Sequence, residues 1–254
     1  MSNIELLYNY PPNTPGSESE GFYRRLNDEQ EEALSILENW TIENSFDLSQ
    51  LSKHSLHPTL TLLKYLRANN FDHEKAREHM LRNIEWRQKM KVDEIVKQRP
   101  ETILNCSLET LTRFFPHWHC GYDTTGRPVI YRNYGKCDVS KLKEVTTTDA
   151  IMRYHIWEQE ACLSLCYKQS HEREELIETI TVILDLEDMK ISQIKKDLLN
   201  LVKKLFNVDK EHYPETLGKL FIINVPSMFP LVWRTIQHFI DPAVAAKIHI
   251  YGAK

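Results

Sequence analysis

The chain has 254 residues, of which 41% are hydrophobic and 27% are charged, and its formal net charge is -4. This is the composition of a globular protein with room for one large domain or two smaller ones. The slightly acidic balance excludes the global basic excess of nucleic-acid-binding proteins, so we expect no nucleic-acid partner.

The first residues, Met1–Tyr10, lack the basic and apolar segments of a secretory signal. No apolar run approaches the roughly 20 residues that span a bilayer. The cysteine count is odd, with five in all, which indicates reduced intracellular thiols rather than a disulfide framework. We therefore expect a cytoplasmic protein that meets membranes only at their surface.

The first third of the chain has helical periodicity. A stretch rich in proline, serine and glycine predicts a mobile tail over residues 1–24. Apolar residues then recur at helical spacing after Asn27, over Thr61–Arg67 and after Asp72. We predict an all-helical N-terminal lobe over residues 25–104.

The remainder, residues 105–254, alternates buried strands with helices. Apolar, β-branched runs predict strands at Pro128–Tyr131, Thr179–Leu186, Leu220–Val225 and Ile248–Tyr251, the first preceded by a turn at Asp123–Gly126. Helical patterns lie near Thr148–Gln169, Ile191–Phe206 and Phe229–Ile240. This alternation predicts an α/β fold, in which a mixed or parallel sheet with crossover helices follows the helical lobe.

Catalytic motifs are missing from the sequence. It has 7 glycines and contains no GxGxxG or GxxxxGK phosphate loop, no GxSxG elbow and no HExxH pair. Asp185 ends a buried strand, where a functional carboxylate is possible, but a carboxylate that caps the following turn is the favoured interpretation. We therefore expect no enzyme activity.

Two clusters contain residue types that bind metals. His155 precedes Cys162 and Cys166 on one helix, and His117, His119 and Cys120 lie near a predicted strand. Neither has a second ligand pair at metal-binding spacing, so core residues are the favoured interpretation and no metal or cofactor is expected.

Three segments together resemble the CRAL-TRIO family, which includes phosphatidylinositol-transfer and tocopherol-associated proteins. They are Leu62–Asp72 followed by Trp86-Arg87, then Asp123–Tyr131 (DTTGRPVIY), and Tyr213–Pro242 continuing to Lys247-Ile248. The resemblance implies a helical lobe, an α/β lobe with a deep apolar pocket for one lipid, and a mobile helix that closes the pocket. Relatives continue beyond the last strand, so we expect an incomplete C-terminal lobe or a fragment.

Residues 229–240, here called the gate segment, would form the helix that closes the pocket. Its apolar residues cover more than half of a helix: Phe229, Val232, Trp233, Ile236, Phe239 and Ile240. Such a helix can face a lipid on one side and a bilayer on the other. An ordinary buried helix is the alternative.

The resemblance also implies which residues contact the lipid. The pocket would be lined by Ile130, Ile180, Val182, Leu184, Leu220 and Ile222, and the head group would meet Glu215, Lys247 and His119. Phosphatidylinositol-binding relatives carry a basic residue where this chain has Asn69-Asn70. Phosphatidylcholine-binding relatives carry hydroxyl side chains at four positions that align here with His119, Ile130, Ile180 and Val182. Because this chain has no hydroxyl at any of the four, the resemblance argues against phosphatidylcholine.

The resemblance implies a monomer that binds phosphatidylinositol or a tocopherol-like or isoprenoid lipid and transfers or presents it between membranes. Moving acyl chains into water costs about 0.8 kcal/mol per CH₂, so a carrier must shield them. The alternative is a lipid-sensing regulatory or scaffold module that acts on membrane signalling partners.

Overall fold

The computed structural model describes residues 21–189, 196–227, 229–237, 240 and 242–252. Residues 190–195 fall outside this range, as does Phe239.

Among the described residues, the helices that precede the sheet are α1 (Asp28–Glu43), α2 (Pro58–Ala68), α3 (His73–Met90), α4 (Val92–Ile95), α5 (Pro100–Leu104) and α6 (Leu108–Phe114). The first three pack around one apolar cluster, whereas α4, α5 and α6 bury Ile95, Leu104 and Leu111 in a second cluster that includes residues from further along the chain. The Asn27 side chain accepts a hydrogen bond from the Gln30 amide, and the Gln30 side chain accepts one from the Asn27 amide. This reciprocal cap satisfies backbone donors that would otherwise lack partners at the start of α1. Leu37, Leu63 and Met80 are fully buried between α1, α2 and α3.

A sheet follows, made of β1 (His117–Tyr122), β2 (Pro128–Asn133), β3 (Ile180–Asp185), β4 (Leu217–Val225) and β5 (Ile248–Gly252). Its spatial order is β1-β2-β3-β4-β5; β1 pairs antiparallel with β2, and the other pairs are parallel. The turn between β1 and β2 is the predicted one, since the Asp123 carboxylate accepts hydrogen bonds from the amides of Thr125 and Arg127. Gly126 adopts φ +81°, which favours glycine.

Crossover helices connect the parallel strands: α7 (Val139–Val145) and α8 (Thr148–Arg173) precede β3, α9 (Lys196–His212) precedes β4, and α10 (Phe229–Ile236) and α11 (Pro242–Ala245) precede β5. The predicted α/β class, with a helical region before a mixed sheet, is confirmed. The residues before Lys196 that we predicted as the start of α9 lie outside the described part.

Candidate functional site

One face of the sheet is apolar from β2 to β5, with His119 of β1 at its edge. Strand pairing places His119, Ile130, Val182, Leu220 and Ile248 side by side in a single row across it. Paired residues on neighbouring strands project to the same face. The residues predicted to line a pocket therefore share one side of the sheet, with Ile180 and Leu184 on β3 and Ile222 on β4 in the adjacent rows.

Helix α8 covers one half of this face. Its buried Cys162 and Cys166 pack with Ile130, Ile177 and Ile180. Burial raises the pKa of the Cys166 thiol to about 12 and that of Cys162 further still. Both sulfur atoms therefore remain protonated at neutral pH and act as small apolar groups.

Helix α10, in the gate segment, covers the other half. Phe229 is 7% exposed and packs with Leu220 and Ile222, and the partly buried Trp233 packs against the same cluster. The rings of Phe229 and Trp233 have centroids 5.9 Å apart. Because these rings lie directly on the strands, a lipid can occupy this half of the face only if α10 moves away.

The helix is shorter than predicted. It ends at Ile236 instead of Ile240, and Ile240 lies in a bend where its amide donates to the Gln237 carbonyl. Pro242 gives the reason, because a residue before proline is disfavoured in helical conformation and the chain must leave the helix first. Val232 and Ile236 lie within α10.

Two of the surface cavities among the described residues lie away from α10. One, of about 50 Å³, lies between α2 and α8 and is lined by Tyr65 and Leu163; the other, of about 670 Å³, lies between α7 and α9. Neither is lined by Phe229 or Trp233. The deep pocket expected beneath the gate segment is thus not one of these cavities.

An ionic cluster lies at the edge of the sheet where the parallel strands begin. Glu215 stands just before β4, and Lys247 just before β5. Lys247 Nζ lies 3.2 Å from Glu215 Oε2, and Arg67 Nε, from α2, lies 3.7 Å from the same oxygen. The side chains of Lys247 and Glu215 are 24% and 17% exposed, so solvent screens the pair only partly.

The comparisons with known proteins identify the family. Residues 115–254 match the family described as CRAL/TRIO domain, and residues 20–82 match CRAL/TRIO, N-terminal domain. The chain belongs to the CRAL-TRIO family.

Curated CRAL-TRIO relatives align over most of the chain. It is 34% identical over 218 residues to the phosphatidylinositol/phosphatidylcholine transfer protein SFH4 of Arabidopsis thaliana, covering 83% of this chain and 35% of that protein. It is 30% identical over 262 residues to the SEC14 cytosolic factor of Kluyveromyces lactis, covering 100% of this chain and 80% of that protein. The chain thus spans about a third of the plant protein.

A solved structure shows the same fold. The crystal structure of Sfh5 superposes with a TM-score of 0.66 at 20% sequence identity, covering 89% of this chain and 81% of the other. In the described part of this CRAL-TRIO chain, no helix has the length and apolar character needed to cross a membrane.

The structure brings together two of the three predicted head-group residues, Glu215 and Lys247. His119 lies on the exposed edge strand β1, where its ring contacts Tyr122 at 5.5 Å between centroids. It shares the row across the sheet through its pairing with Ile130, but no hydrogen bond or ion pair joins it to Glu215 or Lys247 among the described residues.

Sequence reasoning missed Arg67. It lies within the Leu62–Asp72 segment, in which the family resemblance pointed to Asn69-Asn70 instead. Asn69 instead donates to the Tyr65 carbonyl and contacts His79, and Asn70 is exposed. Arg67 lies in the last turn of α2, whereas Asn69 caps the helix and Asn70, with φ +52°, lies beyond it. Their side chains therefore do not follow the direction that the helix gives to Arg67.

Two further sequence interpretations concern polar residues. Asp185 accepts hydrogen bonds from the Glu187 amide, the Asn224 side chain and the Tyr131 hydroxyl, as expected of a carboxylate that caps a turn. Among the described residues, no three His, Cys, Asp or Glu side chains are arranged to hold a metal ion. The His155 ring donates through Nε2 to Asp209 Oδ1 at 2.6 Å.

Proposed function

We propose that this CRAL-TRIO chain binds one phospholipid on the apolar sheet face beneath the gate segment and carries it between membranes without catalysing a reaction. The observation that supports this is that the apolar row of the sheet is covered on one half by the short helix α10. Phe229 and Trp233 contribute large rings to that cover, and the chain leaving it returns to the sheet at Lys247.

The energetic argument concerns the acyl chains. Each CH₂ removed from water contributes about 0.8 kcal/mol, so a lipid tail that replaces the rings of Phe229 and Trp233 on Leu220 and Ile222 would restore the apolar contact that α10 gives up. Lipid and helix can therefore exchange places on the sheet without exposing it to water.

The polar argument concerns the head group. Glu215 can accept hydrogen bonds from inositol hydroxyls, and Lys247 can donate to the phosphate. Both stand at the edge of the apolar face, which suits a lipid whose tails lie on the strands and whose head group lies outside them. We therefore propose phosphatidylinositol as the ligand.

The side chains at Ile130, Ile180 and Val182 argue against phosphatidylcholine, since none has a hydroxyl to meet a choline phosphate. They are equally compatible with a tocopherol-like or isoprenoid lipid, which needs little beyond apolar surface. The names of the relatives support a phospholipid: the Arabidopsis thaliana protein is named for transfer of phosphatidylinositol and phosphatidylcholine.

The cellular setting follows from the same proposal. A monomeric cytoplasmic carrier would meet membranes transiently at their surface, where the gate segment opens. A CRAL-TRIO chain that only senses lipid would bind it without moving it.

Transfer between vesicles tests the proposal. Donor vesicles would contain fluorescent phosphatidylinositol, phosphatidylcholine or tocopherol in separate experiments, with unlabelled acceptors. We expect the protein to transfer phosphatidylinositol readily and phosphatidylcholine only slightly. Transfer of tocopherol alone would reassign the ligand, and tight binding of phosphatidylinositol without transfer would favour sensing.

A further inference from the structure

Arg67 is buried in an unusual way for an arginine. Its side chain is 8% exposed, and its Nε forms no hydrogen bond with any described residue. The guanidinium carbon lies 4.2 Å from the centroid of the Phe22 ring, which covers one face of the group. The edge that carries Nε is turned towards Glu215 at 3.7 Å, which is too long for a strong hydrogen bond.

A buried cation in this state is poorly satisfied. A guanidinium has five N–H donors arranged to hold planar anions such as carboxylate and phosphate. Burying a donor without a partner is costly, and the penalty is larger for a charged group. An anionic oxygen placed between Arg67 and Lys247 would remove that penalty.

The charges at this edge do not cancel. Lys247 and Arg67 each carry one positive charge, and both approach the single carboxylate of Glu215 through the same oxygen, Oε2. These three groups together therefore carry a charge of about +1. In a partly buried setting this imbalance attracts an anion more strongly than it would in open water.

We infer that Arg67 is a third head-group residue, which selects phospholipids of net negative charge. This inference rests on the proposed function: the phosphate of the lipid lies against Arg67 and Lys247 while Glu215 accepts hydroxyls of the sugar. A lipid of charge -1 neutralises the cluster, whereas a zwitterionic lipid leaves it positive and also brings a choline cation towards Arg67. Arg67 thereby supplies the positive charge that is missing at Asn69-Asn70.

The opposing interpretation is purely structural. Arg67 could serve only to hold Phe22 and Glu215 in place, since Gly21 and Phe22 pack on α2 and Phe71. The two interpretations differ in one property. A structural residue affects all ligands alike, whereas a selecting charge changes the ratio between anionic and zwitterionic lipids.

The test compares R67Q and R67K with the unmodified chain, using phosphatidylcholine vesicles that carry either fluorescent phosphatidylinositol or fluorescent phosphatidylcholine. R67Q keeps much of the side-chain volume and removes the charge, whereas R67K keeps the charge. R82Q is the matched control, since it removes one charge from the exposed Arg82–Glu78 pair on α3. Thermal unfolding of each variant reports the fold.

We expect R67Q to lower phosphatidylinositol transfer about tenfold, with phosphatidylcholine transfer unchanged or increased, and R67K to recover most of the selectivity. R82Q should match the unmodified chain. An unchanged lipid ratio in R67Q would overturn the inference, as would an equal loss of both lipids together with a lower unfolding temperature. If the unmodified chain transfers neither lipid, the proposed function itself fails.

Discussion

Arg87 and Glu160 form a buried ion pair that links the helical N-terminal region to the α/β lobe. Arg87 Nη1 on α3 lies 2.7 Å from Glu160 Oε1 on α8, and the two side chains are 6% and 2% exposed. The Tyr213 hydroxyl donates to the same carboxylate oxygen at 3.0 Å. Tyr213 precedes the Pro214-Glu215 step, so this contact also fixes where Glu215 stands.

The first prediction concerns this pair. Arg87→Ala should lower the free energy of unfolding by about 3–5 kcal/mol, because it leaves the Glu160 charge buried without its cation. Urea unfolding followed by circular dichroism measures this. Arg82→Ala, in the exposed pair with Glu78, should cost less than about 1 kcal/mol. Similar losses for both variants would show that the buried pair has no special role.

A second buried cluster predicts the pH dependence of stability. His155 lies 2.6 Å from Asp209, and Glu158 lies 3.1 Å from Arg132 and 3.4 Å from His117. Burial alone would lower the pKa of His155, but the charge of Asp209 and their hydrogen bond raise it from 6.5 to about 9. Burial would raise the pKa of Glu158, but Arg132 and His117 lower it from 4.5 to about 2.

The signs follow from linkage. The stabilisation by His155 is complete below pH 6.5 and is lost as the pH rises through about 9; at 1.36 kcal/mol per pKa unit it is at most about 3 kcal/mol. The stabilisation by Glu158 is complete above pH 4.5 and is lost as the pH falls towards 2. Urea midpoints should therefore fall from pH 6.5 to 9. His155→Gln should remove most of this fall in the urea midpoint between pH 6.5 and 9. The control His171→Gln, at an exposed histidine, should leave the fall unchanged.

The third prediction concerns the gate segment. Trp233→Asp should slow lipid exchange more than about tenfold, since it places a charge where the cover must be apolar, and it should lower the unfolding temperature less than Phe229→Ala does. Phe229→Ala is the contrasting variant, because Phe229 is more deeply buried and should lose stability. Stopped-flow transfer between vesicles and thermal unfolding measure the two effects. Equal damage to fold and exchange in Trp233→Asp would identify Trp233 as an ordinary core residue.

The fourth prediction concerns Lys247. Lys247→Ala should reduce phosphatidylinositol transfer about tenfold, because one charged donor to the phosphate is lost. Stability should change by less than about 1 kcal/mol, as is usual for a pair that solvent reaches. The control is Lys136→Ala, which removes an exposed pair with Glu187 beyond the opposite edge of the sheet. If both variants transfer the lipid normally, Lys247 has no head-group role.

Local sequence patterns were sufficient for four of the five strands in the described sheet, whereas β1 (His117–Tyr122) was not among the predicted strands. The apolar runs around Ile183 and Ile222 could only be buried strands, because β-branched residues filled both faces. The residues predicted to line the pocket share one face of the sheet because strand alternation is a local rule; that this face meets lipid stays a prediction. The end of α10 was missed because the effect of Pro242 on the preceding chain was not weighed against the apolar periodicity that continues to Ile240.

The ionic cluster of Arg67, Glu215 and Lys247 could not be predicted in full from the sequence, because its members meet only in the folded chain. Glu215 and Lys247 were identified through a family resemblance, whereas Arg67 joins them only because α2 packs against the starting edge of the sheet. Nothing within ten residues of Arg67 distinguishes it from a surface arginine, and its burial depends on Phe22 and Glu215, which are distant in the chain. The division at residues 24 and 104 stays a prediction.

The most direct test of the account is the amount of lipid bound per protein. The purified chain would be incubated with vesicles of mixed phosphatidylinositol and phosphatidylcholine, re-isolated, and extracted with organic solvent for quantitative mass spectrometry. We predict one phospholipid per chain, with phosphatidylinositol enriched over its share in the vesicles. A chain that returns without lipid would contradict the claim that the sheet face beneath Phe229 and Trp233 exchanges its helix for a lipid.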